Sequence, residues 1–274
     1  MIQIKDLTFR YKSSWVNVLE NVNLQLTPGS IVGLLGKNGT GKTTLLNLIT
    51  GQLFAQEGVI TIDDENARTK SKSILEKLFF IPEEVNVPDL SLDNFIRLYS
   101  PFYKDYSQEL MDECLREFDL KLEKKSLNKL SMGTKKKVMI CFAIATNVPY
   151  LLMDEPTNGL DIPSKRIFRK LINSHMTENR TIVISTHLIH DVEKLVDHIV
   201  IIGERGLIIN DTIEGLSEKY TFGTMPKGEV FYCEKSIEGN LCMARRTESE
   251  EETPVNIELL FEAVNAKENA HKTW

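Results

Sequence analysis

The chain has 274 residues, of which 42% are hydrophobic and 26% are charged, and its formal net charge is −6 at pH 7. This length suits one large domain, or one domain with an extension, and it is long enough to bury a substantial core. The acidic balance excludes the basic footprint of a nucleic-acid-binding protein at whole-chain level, and no secretory signal or membrane-spanning apolar run is expected.

The pattern in the first third of the chain predicts several strands and one glycine-rich loop. Apolar residues alternate along 2–11 and again along 22–26, which predicts antiparallel strands with one solvated face. The continuous apolar run at 31–35 predicts a strand buried on both faces. The glycine-rich loop follows this strand, and Gly51 is the predicted stop of the next helix.

The later elements alternate between helices and strands. Only helices are predicted between 91 and 130, and these have one apolar face. Regular alternation of strands and helices after 131 predicts a parallel sheet covered on both faces. The predicted elements are strands at 59–62, 78–81, 150–154, 181–186 and 198–202, and helices at 92–99, 107–120, 136–146, 164–176 and 189–196.

The predicted fold is therefore α/β, with a parallel sheet core, an N-terminal antiparallel β subdomain and an inserted helical subdomain at about 84–132. We expect a main domain over 1–215 and a small α+β extension over 216–274. A hairpin turning at 237–240 and a helix at 256–267 would form the extension. The four cysteines, Cys114, Cys141, Cys233 and Cys242, form no CxxC pair, so we expect reduced thiols in a cytosolic protein.

The glycine-rich loop carries the strongest chemical signal. Gly36, Gly41, Lys42 and Thr43 fill the pattern G-x-x-x-x-G-K-S/T between a predicted buried strand and a predicted helix. Such glycines let main-chain N–H groups curl around phosphate oxygens, and the helix directs its positive end at the same point. The lysine adds charge on the β- and γ-phosphates and the threonine hydroxyl can hold Mg²⁺. The loop predicts nucleotide binding.

A second motif could supply hydrolysis. The apolar strand at 150–154 ends in Asp154, and Glu155 follows it. Asp154 can support Mg²⁺, usually through water, and Glu155 is placed to orient or deprotonate an attacking water molecule.

Together these motifs resemble the ATP-binding cassette (ABC) ATPases, a family with a P-loop NTPase (RecA-like) core, over most of the chain. Residues 36–44, GKNGTGKTT, resemble the Walker A loop, and 151–155 resemble the Walker B strand with its glutamate. Residues 158–161 resemble the D-loop, and the resemblance implies that its Asp161 contributes to nucleotide binding. The resemblance implies ATP and Mg²⁺ as ligands and the following further nucleotide contacts: Tyr11 against adenine, Asn38, Gly39 and Thr44 in the loop, and His187 as the residue that senses the γ-phosphate.

The family signature, L-S-G-G-Q, has its counterpart in LSMGT at 130–134. The resemblance implies that Ser131 and Gly133 contact the ATP of a second cassette, so that each chain holds half of two sites. Met132 and Thr134 depart from the usual glycine and glutamine. Glu83 stands where many cassettes carry a glutamine that ligates Mg²⁺, and the Pro82–Glu83 pair resembles the branch that works with exporter-type membrane subunits.

The predicted function is ATP binding and hydrolysis that power export or transport through a separate integral-membrane permease. The predicted partners are that permease and a second cassette, either identical or a paralogue, but no nucleic acid, because the lysines at 135–137 read as a solvated helix face. The predicted location is cytoplasmic, at the inner face of the cell membrane. A soluble cassette ATPase, such as one for metal-cluster assembly, is the alternative; a regulatory module without turnover conflicts with Glu155.

Overall fold

The computed structural model describes residues 1–122, 125–204, 206–224, 226–236, 239–247 and 250–269. The strands are β1 (Ile2–Phe9), β2 (Leu19–Leu26), β3 (Ile31–Leu35), β4 (Glu57–Ile62), β5 (Glu65–Asn66), β6 (Leu78–Ile81), β7 (Tyr150–Asp154), β8 (Thr181–Thr186), β9 (His198–Gly203), β10 (Gly206–Thr212), β11 (Tyr220–Gly223), β12 (Val230–Ser236) and β13 (Gly239–Arg245). The helices are α1 (Lys42–Ile49), α2 (Lys72–Lys77), α3 (Leu92–Tyr99), α4 (Gln108–Glu117), α5 (Met132–Ala145), α6 (Ile162–Ser174), α7 (Ile213–Lys219) and α8 (Ile257–Asn269).

The central sheet has the strand order β10-β9-β3-β8-β7-β6, and all its neighbours are parallel except the edge pair β10 and β9. Successive residues of its inner strands face opposite sides. Ile31 and Leu35 of β3 belong to one buried cluster, whereas Val32 and Leu34 belong to the other. This two-sided burial explains why β3 is apolar throughout, and the glycine-rich loop leaves its carboxyl end.

An antiparallel sheet of order β2-β1-β4-β5 forms the N-terminal subdomain. Helices α3 and α4 form the insert between β6 and β7, and within the described residues this insert has no strand longer than an isolated bridge between Ser91 and Ser126. The predicted α/β fold with its antiparallel subdomain and helical insert is confirmed.

One predicted helix is wrong. The segment 189–196 contains only a short 3₁₀ turn at Ile189–Asp191. Its apolar residues are buried, as the pattern indicated, but the carboxylate of Asp191 points inward and accepts hydrogen bonds from Thr157 and Lys165, both at 2.7 Å. These tertiary contacts override the local helical preference. The edge strand β10 and the short helices α2 and α7 had not been predicted.

The C-terminal part contains α7, a three-stranded sheet of order β11-β13-β12 and α8. Residues Ile237 and Glu238 of the predicted hairpin turn lie outside the described residues. The buried side chains of Leu216, Met243 and Leu260 belong to the same apolar cluster as Ile201 of the central sheet. The extension therefore packs against the central sheet, and the two share one buried apolar cluster.

The expectation that all four cysteines are reduced is wrong for one pair. Cys233 and Cys242 lie opposite each other on β12 and β13 and form a disulfide. Antiparallel pairing brings directly opposed residues close enough to be bridged, and spacing along the chain gave no sign of this pairing. Cys114 and Cys141 are free and buried on α4 and α5, as predicted.

Candidate active site

The glycine-rich loop closes around Lys42. Its ammonium donates hydrogen bonds to the main-chain oxygens of Gly36, at 2.7 Å, and Lys37, at 3.1 Å. Gly36 packs so tightly that an added Cβ would lie 2.6 Å from the main-chain oxygen of Ile202. Gly41 has a φ of +106°, which favours glycine, and it directly precedes α1. Burial lowers the pKa of Lys42, while Glu155, Asp154 and Glu83 act in the opposite direction.

Asp154 is held at the carboxyl end of β7 by two hydroxyl groups. The Thr43 hydroxyl donates to Oδ2 at 2.6 Å, and the Ser185 hydroxyl donates to Oδ1. Parallel pairing places Asp154 opposite Ser185 on β8. The carboxylate is only 1% exposed. The metal-supporting positions predicted at Thr43 and Asp154 are thus in direct contact.

Glu155 is fixed by the segment that follows β8. Its Oε1 lies 2.7 Å from Nδ1 of His187 and accepts the His187 main-chain N–H at 3.1 Å. Its Oε2 accepts a hydrogen bond from the Thr186 hydroxyl at 3.1 Å. Glu155 has a φ of 46°, in the left-handed region that non-glycine residues rarely adopt. This backbone turn directs the carboxylate toward His187.

These groups line one open cavity of about 610 Å³, a size typical of small-molecule sites. Tyr11 is one of its lining residues, and the hydroxyl groups of Tyr11 and Thr44 lie 2.9 Å apart. Glu83 also lines the cavity and accepts a hydrogen bond from the Asn158 side chain at 3.1 Å. The predicted site residues that line it are Tyr11, Asn38, Gly39, Gly41, Lys42, Thr43, Thr44, Glu83, Asp154, Glu155 and His187.

Four predicted nucleotide contacts do not line this cavity. The main-chain oxygen of Gly36 accepts a hydrogen bond from Lys42 instead. Ser131 caps α5, accepting a hydrogen bond from the Thr134 N–H at 3.2 Å, and Asp161 caps α6, accepting one from the Ser164 N–H at 2.8 Å. Gly133 packs against the loop after β7, where an added Cβ would lie 3.0 Å from the main-chain oxygen of Gly159.

Several site residues were missed by sequence reasoning. Ser185 and Thr186 end the strand at 181–186, and their hydroxyls hold Asp154 and Glu155. Polar residues at the end of an otherwise apolar strand were the signal that could have identified Ser185 and Thr186. Lys136 was predicted to be solvated, but it is only 2% exposed and its ammonium bonds main-chain oxygens beside the cavity. That prediction was wrong because this face of α5 packs on the loop after β7.

The oxygen-rich lining fits Mg²⁺. This ion prefers carboxylates and hydroxyls, and it is usually held by one or two carboxylates together with substrate phosphates. Thr43, Asp154 and Glu83 supply such groups in the lining of the cavity. In the described part of the chain no group of three or more His, Cys, Asp or Glu side chains forms a self-contained metal cage. A metal bound here would therefore depend on phosphate oxygens as well.

Comparison with known proteins identifies the class. Residues 19–158 match the ABC transporter family. The ABC transporter ATP-binding protein NatA of Bacillus subtilis is 30% identical over 226 residues, which cover 80% of this chain and 92% of NatA. The bacitracin transport ATP-binding protein BcrA of Bacillus licheniformis is 35% identical over 214 residues, which cover 76% of this chain and 68% of BcrA.

Solved structures agree with these sequence matches. The dimeric structure of MJ0796, a bacterial ABC transporter cassette, superposes with a TM-score of 0.67 at 26% identity, covering 77% of this chain and 98% of that cassette. The chain belongs to the ABC transporter family. It is an ATP-binding cassette that binds and hydrolyses ATP in the service of transport.

Proposed function

We propose that this cassette is the ATPase subunit of an exporter-type ABC transporter, in which two cassettes share their ATP sites and drive a separate membrane permease. One observation carries the ATPase role in this proposal: Glu155, held by His187 and Thr186, opens onto the same cavity as Lys42 and Thr43. Phosphate-binding groups and a poised carboxylate therefore meet at one place.

In the proposed binding step, the triphosphate lies along the loop at 36–44. Lys42 and the main-chain N–H groups at the start of α1 bind the phosphates, and Tyr11 lies against adenine. Thr43, Asp154 and Glu83 would hold Mg²⁺, which when bound screens the negative charge of the β- and γ-phosphates. Ser185 assists by fixing the Asp154 carboxylate.

In the proposed hydrolysis step, Glu155 is the general base for the attacking water. Its two oxygens are oriented by Thr186 and His187, so the carboxylate does not have to be ordered at the moment of reaction. His187 also reaches the cavity, where it can donate a hydrogen bond to the γ-phosphate. Loss of that phosphate would remove the contact that joins the two cassettes.

The sharing of sites is supported by the position of the signature segment. Ser131 is exposed at the amino end of α5 and does not line the cavity of its own chain, and Gly133 is not a lining residue either. A helix terminus of this kind attracts phosphate, so a second cassette could present it to this cavity. The MJ0796 cassette, similar over nearly its whole length, is a dimer.

The sequence and one relative support the exporter assignment and the membrane location. Pro82 and Glu83 match the exporter-associated pattern, and BcrA is named for bacitracin transport. In the described residues no helix is both long and apolar enough to span a bilayer. The transport pathway would thus be provided by the permease, with this cassette peripheral to the inner face of the membrane.

The helical insert offers the docking surface for that permease. Leu98 and Phe102 are apolar and 54% and 63% exposed, and Leu75 is similarly exposed at 53%. Phe102 also lines a groove with Leu75 and Tyr103. Contiguous exposed apolar surface marks interaction sites, and Leu75 and Phe102 share this groove.

Affinity purification of the tagged chain from native membranes in mild detergent tests the proposal. We expect a polytopic membrane protein to co-purify, and to be lost in Phe102→Glu but retained in the matched control Val230→Glu, which alters an apolar residue that is 49% exposed. ATP turnover of both purified variants reports whether they are folded. Only water-soluble partners would contradict the proposal and favour the metal-cluster alternative.

A further inference from the structure

Lys136 is a buried cation with no role in the proposed binding and hydrolysis steps. Its side chain is 2% exposed, although lysine is rarely buried without a partner. The ammonium donates to the main-chain oxygen of Glu155 at 2.9 Å and to that of Asn158 at 3.0 Å. Burial lowers the pKa of Lys136, while Glu83, Glu155 and Asp154 oppose this effect. Burying an ammonium group costs free energy unless the group is hydrogen-bonded, so these two hydrogen bonds offset the desolvation of Lys136.

What it binds is the backbone of the proposed general base. Glu155 has the left-handed φ of 46°, which is strained for a residue with a side chain. The Glu155 N–H donates to the main-chain oxygen of Ser185 at 3.1 Å, and its carbonyl accepts from Lys136. Both peptide groups are therefore fixed. Strained residues persist when their surroundings determine the backbone in this way.

The same side chain connects this loop to the signature segment. Lys136 lies on α5, which begins at Met132 and is capped by Ser131. Gly133 of this helix also packs against Gly159, so the amino end of α5 contacts the loop after β7 at two points. A shift of this helix end would be passed to the Glu155 backbone.

We infer that Lys136 is a positioning residue for hydrolysis. Its ammonium, hydrogen-bonded to the main-chain oxygens of Glu155 and Asn158, fixes the position of the Glu155 carboxylate and couples it to α5, the helix that begins in the signature segment. This inference rests on the proposed role of Glu155 as the base. Lys136 is not among the residues that line the nucleotide cavity, so removing it changes turnover and leaves ATP binding intact.

Three substitutions separate hydrogen-bond donation from packing. Lys136→Met keeps an unbranched stem that reaches the position of the lysine Cε and loses every donor. Lys136→Gln keeps neutral N–H donors, and Lys136→Arg keeps charged ones. Lys135→Met is the control, since the neighbouring Lys135 is partly exposed. For each variant, kcat and KM for ATP, the Kd for Mg-ATP and the melting temperature are measured.

We expect Lys136→Met to lower kcat by about tenfold or more, since small misplacements of catalytic groups have effects of this order, with the Kd for Mg-ATP unchanged. Lys136→Gln or Lys136→Arg should restore most of kcat, and Lys135→Met should match wild type. Wild-type kcat in Lys136→Met would overturn the inference, as would a Kd that rises in step with the loss of kcat.

If Lys136→Met does not fold, Lys136→Arg decides the question. A folded Lys136→Arg with more than about tenfold loss of kcat would overturn the assignment, because its charged donors still reach the two main-chain oxygens; kcat near wild type supports it. This test uses the purified cassette, whereas the transport role is judged by the membrane partner, so a failure of the inference and a failure of the transport role give different results.

Discussion

Oε1 of Glu155 and Nδ1 of His187 lie 2.7 Å apart, although 31 residues stand between these two side chains in the chain order. The contact joins the end of β7 to the segment after β8, and the parallel pairing of these strands brings it about. It places the proposed base and the proposed γ-phosphate sensor at one wall of the cavity.

Replacing Glu155 with glutamine should separate binding from hydrolysis. The amide keeps the size of the side chain but cannot accept a proton from water, and general-base catalysis is typically worth about 10²–10⁴-fold. We expect kcat for ATP to fall by about that factor and the Kd for Mg-ATP to change little. Phosphate release and nucleotide titration measure the two quantities.

The control is Glu178→Gln, which alters an exposed carboxylate in the loop between α6 and β8. This variant should behave as wild type. Wild-type turnover in Glu155→Gln would reject Glu155 as the base.

The Thr43 hydroxyl should determine how the site depends on Mg²⁺. Thr43→Ala removes the donor that lies 2.6 Å from Asp154, whereas Thr43→Ser keeps it. We expect Thr43→Ala to need about tenfold or more Mg²⁺ for half-maximal turnover, the order expected when a metal-supporting contact is lost, and Thr43→Ser to stay near wild type. Equal Mg²⁺ dependence in both variants would contradict the assigned metal site.

Two glycines of the loop should differ in their tolerance of alanine. Gly39 and Gly41 both have positive φ, at +86° and +106°. An added Cβ at Gly41 would lie 3.0 Å from Val18 and 3.1 Å from Leu19, but at Gly39 it would meet nothing within 4 Å. Gly39→Ala should cost about 1–2 kcal/mol in the free energy of unfolding, from backbone strain alone.

Gly41→Ala should cost more than Gly39→Ala and should also weaken Mg-ATP binding, because the loop must move to relieve the contact with Val18 and Leu19. Denaturant unfolding and nucleotide titration of the two variants provide the comparison. Equal stability of both variants would show that the packing around Gly41 is looser than described.

Acid should weaken the junction between the N-terminal subdomain and the core at Asp63. Burial alone would raise the pKa of Asp63, but hydrogen bonds from the Met1 amino group, Tyr150 and Lys77 outweigh it and hold the pKa well below its usual value. A lowered pKa makes the folded state bind protons less readily than the unfolded state. The stabilisation is therefore complete above the unfolded pKa of about 4 and is lost as the pH falls through the folded value.

We expect Asp63→Asn to lower the melting temperature at pH 7 and the difference from wild type to shrink progressively below about pH 4. The neighbouring exposed carboxylate Asp64, changed to asparagine, serves as the control. A difference that grows on acidification would have the wrong sign for a lowered pKa.

The predictions from sequence were correct where residues close together in the chain determine the structure. The loop from Gly36 to Thr43 follows β3 because strand, tight turn and helix are each encoded within a few residues. Asp154 and Glu155 were found in the same way, at the end of an apolar strand. The fold class followed from the alternation of helices and strands.

The sequence pattern did not predict contacts between segments that lie far apart in the chain. The burial of Lys136 depends on how α5 packs against the loop after β7, and the inward turn of Asp191 depends on Thr157 and Lys165. The disulfide of Cys233 with Cys242 depends on strand register. Each is set by tertiary pairing, which hydrophobic periodicity does not record.

In the proposed mechanism, a second cassette completes the ATP site. Light scattering of Glu155→Gln with and without Mg-ATP tests it most directly, since ATP should persist in this variant. We predict a shift from monomer to dimer that depends on Mg-ATP and is abolished by Ser131→Arg, which places a bulky side chain at the exposed end of α5. A mass that stays monomeric, while nucleotide titration shows the site saturated, would contradict the claim.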